Sequence, residues 1–205
     1  MNNNVMQFTI AGLKLVGILF AIVAFVTGCA TTGTRVTQTN ENIEISDNYS
    51  VNSEIREEFD KAVTLLKEEK YPEAIMLLRA VTGKIKKFTG PYINLAIAYI
   101  KTDELEKAED NLKKALKLNK SHPAANNELA LVYRKTGRFD EARKIYQEVL
   151  SQYPSFLPAR KNLGVLCDLY LRDLNCALEQ YESYLEVMPE DKKVQIWVAD
   201  LKSRM

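Results

Sequence analysis

A four-residue block ending in alanine recurs along this chain as Tyr71-Pro72-Glu73-Ala74, Leu105-Glu106-Lys107-Ala108, Phe139-Asp140-Glu141-Ala142 and Leu174-Asn175-Cys176-Ala177, at intervals of 34, 34 and 35 residues. Self-similarity at a fixed period of this size means a stack of supersecondary units, none of which buries its apolar face alone. The 35-residue interval implies one inserted residue in the fourth unit, expected in the inter-helix turn within residues 170–176.

A second pattern runs in step with the first. Tyr92, Leu95, Ala96 and Tyr99 are followed by Leu129, Ala130 and Tyr133, then by Leu163, Gly164 and Cys167. Residues three and four apart share a helical face, so each set presents large and small side chains together. Downstream of each block come Leu78, Leu112, Tyr146 and Tyr181, and Pro154 and Pro189 punctuate two of the units. The recurring small residues Ala62, Ala96, Ala130 and Gly164 fall where two helices of a hairpin cross, which lets the backbones approach closely.

In these residues the chain resembles the tetratricopeptide repeat family, whose 34-residue pattern of aromatic, Leu-Gly, Tyr, then Ala, Phe and Pro it follows over residues 55–189. The first copy departs most, with Glu58, Lys61, Ala62 and Leu65 at the family's marker positions. The resemblance implies an all-α fold, a right-handed superhelical solenoid of about four helix hairpins. The units are expected over 55–88, 89–122, 123–156 and 157–189 within a repeat region of 54–189. An array exposes an apolar face at its end, and residues 190–205, with Val194, Ile196, Trp197, Val198 and Leu201 among Asp and Lys, supply a capping helix.

The amino-terminal residues obey another logic. Leu15 to Val26 is an apolar run of signal-peptide length, shorter than a membrane span, and Lys14 is the one charge before it. Val26-Thr27-Gly28-Cys29 then resembles the lipobox of bacterial lipoproteins, in which the cysteine is acylated and becomes the new amino terminus. That resemblance implies a signal peptide over 1–28, lipidation (diacylglycerol and palmitate-type chains) at Cys29 and, with Ala30 rather than Asp next, anchorage at the periplasmic face of the outer membrane of a Gram-negative cell. More than one acyl chain gives stable attachment where one does not.

Residues 29–53 join anchor to repeats and are dominated by Thr, Asn, Ser and Glu, the composition of a flexible tether. Such a coil spans about 25 Å end to end. The stretch Val36 to Ile45 is alternatively a strand added to a partner.

Charge excludes one class of partner. Lys and Arg number 28 against 27 Asp and Glu, and loss of residues 1–28 removes only Lys14, so no basic surplus recruits nucleic acid. No P-loop, dinucleotide-binding glycine pattern or metal-spaced ligand set occurs, and His122 is the lone histidine, so neither an enzyme, a cofactor nor a metal is expected.

In tetratricopeptide proteins the first helix of each pair lines a concave groove, and the resemblance places partner contacts there. In this sequence they are Phe59, Val63 and Lys67, then Asn94, Ile97 and Lys101, then Asn127, Leu131, Arg134 and Lys135, then Lys161, Asn162, Val165 and Asp168. Chaperone-binding relatives clamp a terminal carboxylate with Lys and Asn. The stripe Val63, Ile97, Leu131, Val165 is aliphatic throughout and suits an apolar extended or helical segment instead. Cys167 and Cys176 are candidates for a disulfide in an oxidising compartment, or alternatively two buried thiols.

The expected function is a membrane-anchored, non-catalytic adaptor assembling a cell-envelope complex. Loose resemblance extends to pilotins of type IV pilus secretins and to accessory lipoproteins of TonB and ExbB/ExbD systems, the latter through the ending Ala177 to Leu201. The alternatives are a regulator that docks peptidoglycan enzymes and a scaffold that assembles with itself as a homo-oligomer.

Overall fold

The computed structural model describes residues 52–205, so the signal segment, Cys29 and the tether expected before Asn52 lie outside the described residues. All the described elements are helical: α1 (Ser53–Lys67), α2 (Tyr71–Lys84), α3 (Thr89–Lys101), α4 (Leu105–Leu118), α5 (Pro123–Lys135), α6 (Phe139–Gln152), α7 (Leu157–Leu166), a π turn (Cys167–Leu171), α8 (Leu174–Leu185) and α9 (Lys192–Arg204). Successive helices pack on one another in order, as four antiparallel hairpins and a final helix. This is an all-helical solenoid. Helix α1 begins within the segment read as tether, because Asn52 caps it: its Oδ1 accepts from the Glu54 N–H at 3.0 Å.

The small residues sit where hairpins need them. Ala62, Ala96, Ala130, Ala74, Ala108, Ala142 and Ala177 are all fully buried, with Gly164 buried beside them. A large, fully enclosed side chain follows each first-helix small residue 16 or 17 positions on: Leu78, Leu112, Tyr146 and Tyr181. Two apolar clusters result, one running from Phe59 to Val132 and the other from Ala130 through Tyr146 and Tyr181 to Leu201.

Within each hairpin the turn is a left-handed cap. Glu69, Asp103 and Gly137 have φ of 59°, 61° and 79°. The residue after each donates its N–H five positions back, Lys70 to Leu65, Glu104 to Tyr99 and Arg138 to Tyr133, at 2.9, 2.8 and 2.8 Å. These bonds satisfy carbonyls that a helix end leaves open, and offset the left-handed strain of Glu69 and Asp103.

The fourth hairpin corrects the expected place of the inserted residue. Its turn is no longer than the others, with Arg172 at φ 54° two positions before α8 begins, as Glu69, Asp103 and Gly137 stand before their second helices. The extra residue lies upstream, inside the first helix, where Cys167–Leu171 widens into a π turn. Asp173 accordingly reaches back six positions, not five, to the Cys167 carbonyl at 2.9 Å. A helix that must keep its register on both sides of one extra residue absorbs it as a π bulge.

Helix α9 caps the array with Val194 and Leu201 fully buried and Trp197 and Val198 half-buried. Ile196, read as part of that apolar face, points outward at 67 % exposure. Ion pairs tie the layers: Lys84 to Glu58 at 2.6 Å, Arg138 to Glu109, Arg143 to Asp173 at 2.8 Å and Lys161 to Asp191 at 2.9 Å. Arg138, and then Lys113, hold the Glu109 carboxyl at about 2, well below its usual 4.5. Lys161, with the Val194 N–H and Tyr184, holds Asp191 at about 2. Both carboxylates are depressed in the folded state, so their contribution is fully present above the ordinary carboxylate range. It is lost as pH falls from about 4.5 towards 2. Thermal melts should therefore show an unfolding midpoint that declines through that window, and Glu109→Gln should lower the neutral-pH midpoint while flattening the acid decline. An identical acid limb in the variant would contradict this.

Candidate protein-binding groove

The first helices touch one another from hairpin to hairpin, α1 with α3, α3 with α5 and α5 with α7, whereas no two second helices approach to the same degree. The first helices therefore lie on the inner side of the curve, and their outward-facing residues line its concave face. Val63, Ile97, Leu131 and Val165 occupy one register there, 34 residues apart, each half-buried against the core beneath. They form a continuous aliphatic stripe, one side chain per hairpin.

The polar residues expected beside the stripe divide. Asn94 is fully buried and donates through Nδ2 to the Gly90 carbonyl at 3.0 Å. Asn127 is 3 % exposed; it donates to Glu128 at 2.9 Å and accepts from Asn162 Nδ2 at 3.1 Å. Those amides are used inside the protein, Asn94 within α3 and Asn127 in binding α5 to α7, rather than displayed on the groove. A buried amide must spend its donors and acceptors locally, which overrides the groove role that register alone suggested.

Two more expected contacts are taken by the cap. Lys161 reaches Asp191 at 2.9 Å and lies over the Tyr184 and Trp197 rings, at 5.1 and 5.7 Å. Asp168 accepts from Arg204 of α9 at 2.7 Å. In an array, α9 stands where the first helix of a next repeat would, so the polar residues of the fourth hairpin meet α9 and not solvent. Lys135 reaches across to Asp103 at 3.1 Å in an exposed pair, Lys101 and Lys67 are exposed, and Phe59 is core, 2 % exposed.

Arg134 differs from the rest. It is half-buried at the end of α5, with its guanidinium 5.6 Å from the Tyr170 ring, and its Nε and Nη1 are buried without an acceptor. The Tyr146 hydroxyl is likewise buried and unpartnered. Burial raises the Tyr146 hydroxyl far above its ordinary value, and the Arg134 charge pulls the other way.

Cys167 and Cys176 are joined as a disulfide, with Cα atoms 5.9 Å apart. Cys167 occupies the register of Tyr99 and Tyr133, and Cys176 that of Lys107. In the second hairpin the Lys107 ammonium lies over the Tyr99 ring at 5.4 Å, so in the fourth a covalent bond replaces that contact. The Asp173 carboxylate lies within 4.8 Å of both sulfurs, but sulfurs bonded to each other offer no thiolate to a metal. His122, the lone histidine, caps α5 through Nδ1, accepting from the Ala125 N–H at 3.4 Å. Its place directly before Pro123, a residue favoured in a first helical turn, was the available signal. No helix among the described residues is long and apolar enough to cross a membrane.

The class that this geometry defines is a helical-repeat solenoid with a concave face of the kind that takes other proteins. Residues 93–155 match the model of the tetratricopeptide repeat family. The chain is similar in structure to a thermophilic TPR protein of Thermus thermophilus, with TM-score 0.65 and 24 % identity over 72 % of this chain and 80 % of that one. It is also similar to MamA, with TM-score 0.57 and 26 % identity over 68 % of this chain and 81 % of that one. A MamA double mutant, RS-1 ArsTM, aligns with TM-score 0.63 and 20 % identity over 75 % and 85 % of the two chains. In fold the described region is an all-helical solenoid like those structures, and the family match itself covers residues 93–155.

Proposed function

We propose that this protein is a lipid-anchored adaptor of the bacterial cell envelope. Acylated Cys29 fixes it to the outer membrane, the residues up to Asn52 give reach, and the groove holds an apolar segment of a partner during assembly of an envelope complex, of the TonB/ExbB/ExbD or type IV pilus kind. The observation that carries the adaptor reading is the stripe Val63, Ile97, Leu131, Val165, half-buried and in register on the inner face. Aliphatic side chains aligned at one per hairpin offer burial to a partner helix or strand laid along the groove. The Cys167–Cys176 bond supports an exported location, since such bonds persist in oxidising compartments. The lipobox resemblance at Val26 to Cys29 supports the anchor.

The test uses full-length protein in cells, with a photo-cross-linker at Lys101, beside the groove. Cross-linked partner should fall about tenfold in Leu131→Asp, because a buried carboxylate replaces apolar contact. Cys29→Ala should move the protein out of the membrane fraction without altering its helical circular dichroism. Undiminished cross-linking in Leu131→Asp would remove the groove from the proposal, and membrane retention of Cys29→Ala would remove the lipid.

A further inference from the structure

We propose that Arg134, Leu169 and Tyr170 form a seat for an acidic side chain that a partner segment carries next to an aliphatic one. The inference rests on the groove reading above and names what one end of that groove recognises.

Four observations converge at the junction of the third and fourth hairpins. Arg134 stands at a register that is apolar in the first two hairpins, Leu66 and Ile100, so core packing alone does not call for a guanidinium there. Its Nε and Nη1 are enclosed with no acceptor, and the one carboxylate at the same register of the next hairpin, Asp168, is bound to Arg204 at 2.7 Å. A buried cationic donor without an acceptor is a standing cost that an incoming anion relieves. The Tyr146 hydroxyl, which feels the Arg134 charge, is fully buried and also unpartnered, so it does not take up the guanidinium's free donors.

The apolar half of the seat comes from the π turn. Five positions after the small residue of each first helix stand Lys67, Lys101 and Lys135 in hairpins one to three and Leu169 in the fourth. The next is Glu68, Thr102 and Thr136, then Tyr170. Leu169 is 66 % exposed and Tyr170 44 %, so two large apolar side chains face solvent where the repeat otherwise places polar ones. Tyr170 is held in place on both sides, by the Phe139 ring at 5.1 Å and the Arg134 guanidinium at 5.6 Å, and the Cys167–Cys176 bond pins the turn that carries it. π turns recur at functional sites because they re-aim side chains that a regular helix would direct elsewhere.

A partner carboxylate against Arg134, with an aliphatic neighbour on Leu169 and Tyr170, satisfies both halves. This seat differs from a clamp on a chain terminus, because it lies beside the Leu131 stripe and takes a side chain from within a segment.

The probe is the capped pentapeptide acetyl-Ala-Leu-Glu-Leu-Ala-amide, with the Gln peptide as control, titrated into the ¹⁵N-labelled 205-residue chain. The Glu peptide is expected to bind saturably, to shift the Arg134 Nε–H resonance, and to bind about tenfold more tightly than the Gln peptide. Arg134→Gln should abolish that discrimination. Tyr170→Ala, at an exposed position that leaves the core intact, should weaken both peptides. Equal binding of the two peptides, no binding of either, or unchanged discrimination in Arg134→Gln each overturns the seat. The groove reading is separable: if Leu131→Asp abolishes partner cross-linking while the peptides are not discriminated, the groove stands and the seat fails. If discrimination holds while Leu131→Asp leaves cross-linking intact, the seat stands and the stripe fails.

Discussion

Gly164→Ala should destabilise the fourth hairpin by about 2 kcal/mol, the cost of forcing a methyl into a filled core, and lower the melting midpoint by about 6 °C for an array of this size. A Cβ built on Gly164 meets Tyr181 Cε1 at 2.4 Å and Cδ1 at 2.6 Å, well inside contact distance. The ring has little room to yield, being 1 % exposed and packed at 5.3 Å, tilted by 42°, against Trp197 of α9. The steric penalty works against a gain, since alanine stabilises a helix interior by about 0.5–1 kcal/mol relative to glycine. Gly83→Ala isolates that gain, because nothing lies within 4 Å of its Cβ position; it should raise the midpoint slightly. The other hairpins indicate the rescue. Ala62 with Leu78 and Ala96 with Leu112, all buried, hold the registers of Gly164 and Tyr181. The double variant Gly164→Ala/Tyr181→Leu converts the fourth hairpin to that pairing and should recover most of the loss. A single variant as stable as the parent, or a double variant no better than the single, would show that the close approach of Gly164 to Tyr181 does not govern packing here.

That pairing explains why the fold was legible in the sequence. A small residue every 34 positions on the first helix, matched by a large one on the second, is a geometric demand of the hairpin, and it survives changes from Ala/Leu to Ala/Tyr to Gly/Tyr. Even the first copy, poor in the family's marker residues, forms its hairpin because Ala62, Ala74 and Leu78 keep the demand.

The groove was only partly legible, for a different reason. Register tells which residues of a first helix face inward, and it placed the aliphatic stripe. It treats every hairpin as equivalent, so it did not see that Lys161 and Asp168 meet α9 or that Asn94 and Asn127 are enclosed. Nor does the 35-residue interval say where the added residue goes. A turn and a π bulge cost one residue each in the sequence, and only the left-handed φ at Arg172, in the same place as in the other turns, separates them. The unpartnered donors of Arg134 are a property of surroundings contributed by α6 and the π turn, which no single-helix pattern contains.

Removing the Cys167–Cys176 bond should cost about 2.5 kcal/mol, the loop-closure value for a bridge between residues so near in sequence, and lower the midpoint by about 8 °C. The bond spans 9 residues and closes the π turn onto the start of α8. The loss should be local, since a repeat array unfolds by units: hairpin four and α9 go first while α1 to α6 keep their helicity. Cys167 is fully buried, so a mild reductant should act slowly on the native protein and quickly once the hairpin opens. Cys167→Ala/Cys176→Ala gives the equilibrium effect directly, and hydrogen exchange should show early loss of protection confined to residues beyond 157. Cys167→Tyr/Cys176→Lys restores the pair of residue types that meet as Tyr99 and Lys107 in the second hairpin, and should recover part of the stability. If the Ala variant melts with the parent, packing of Leu166 and Tyr181 holds the π turn unaided. If its loss spreads evenly over all hairpins, the array unfolds as one cooperative body and the disulfide braces the whole of it.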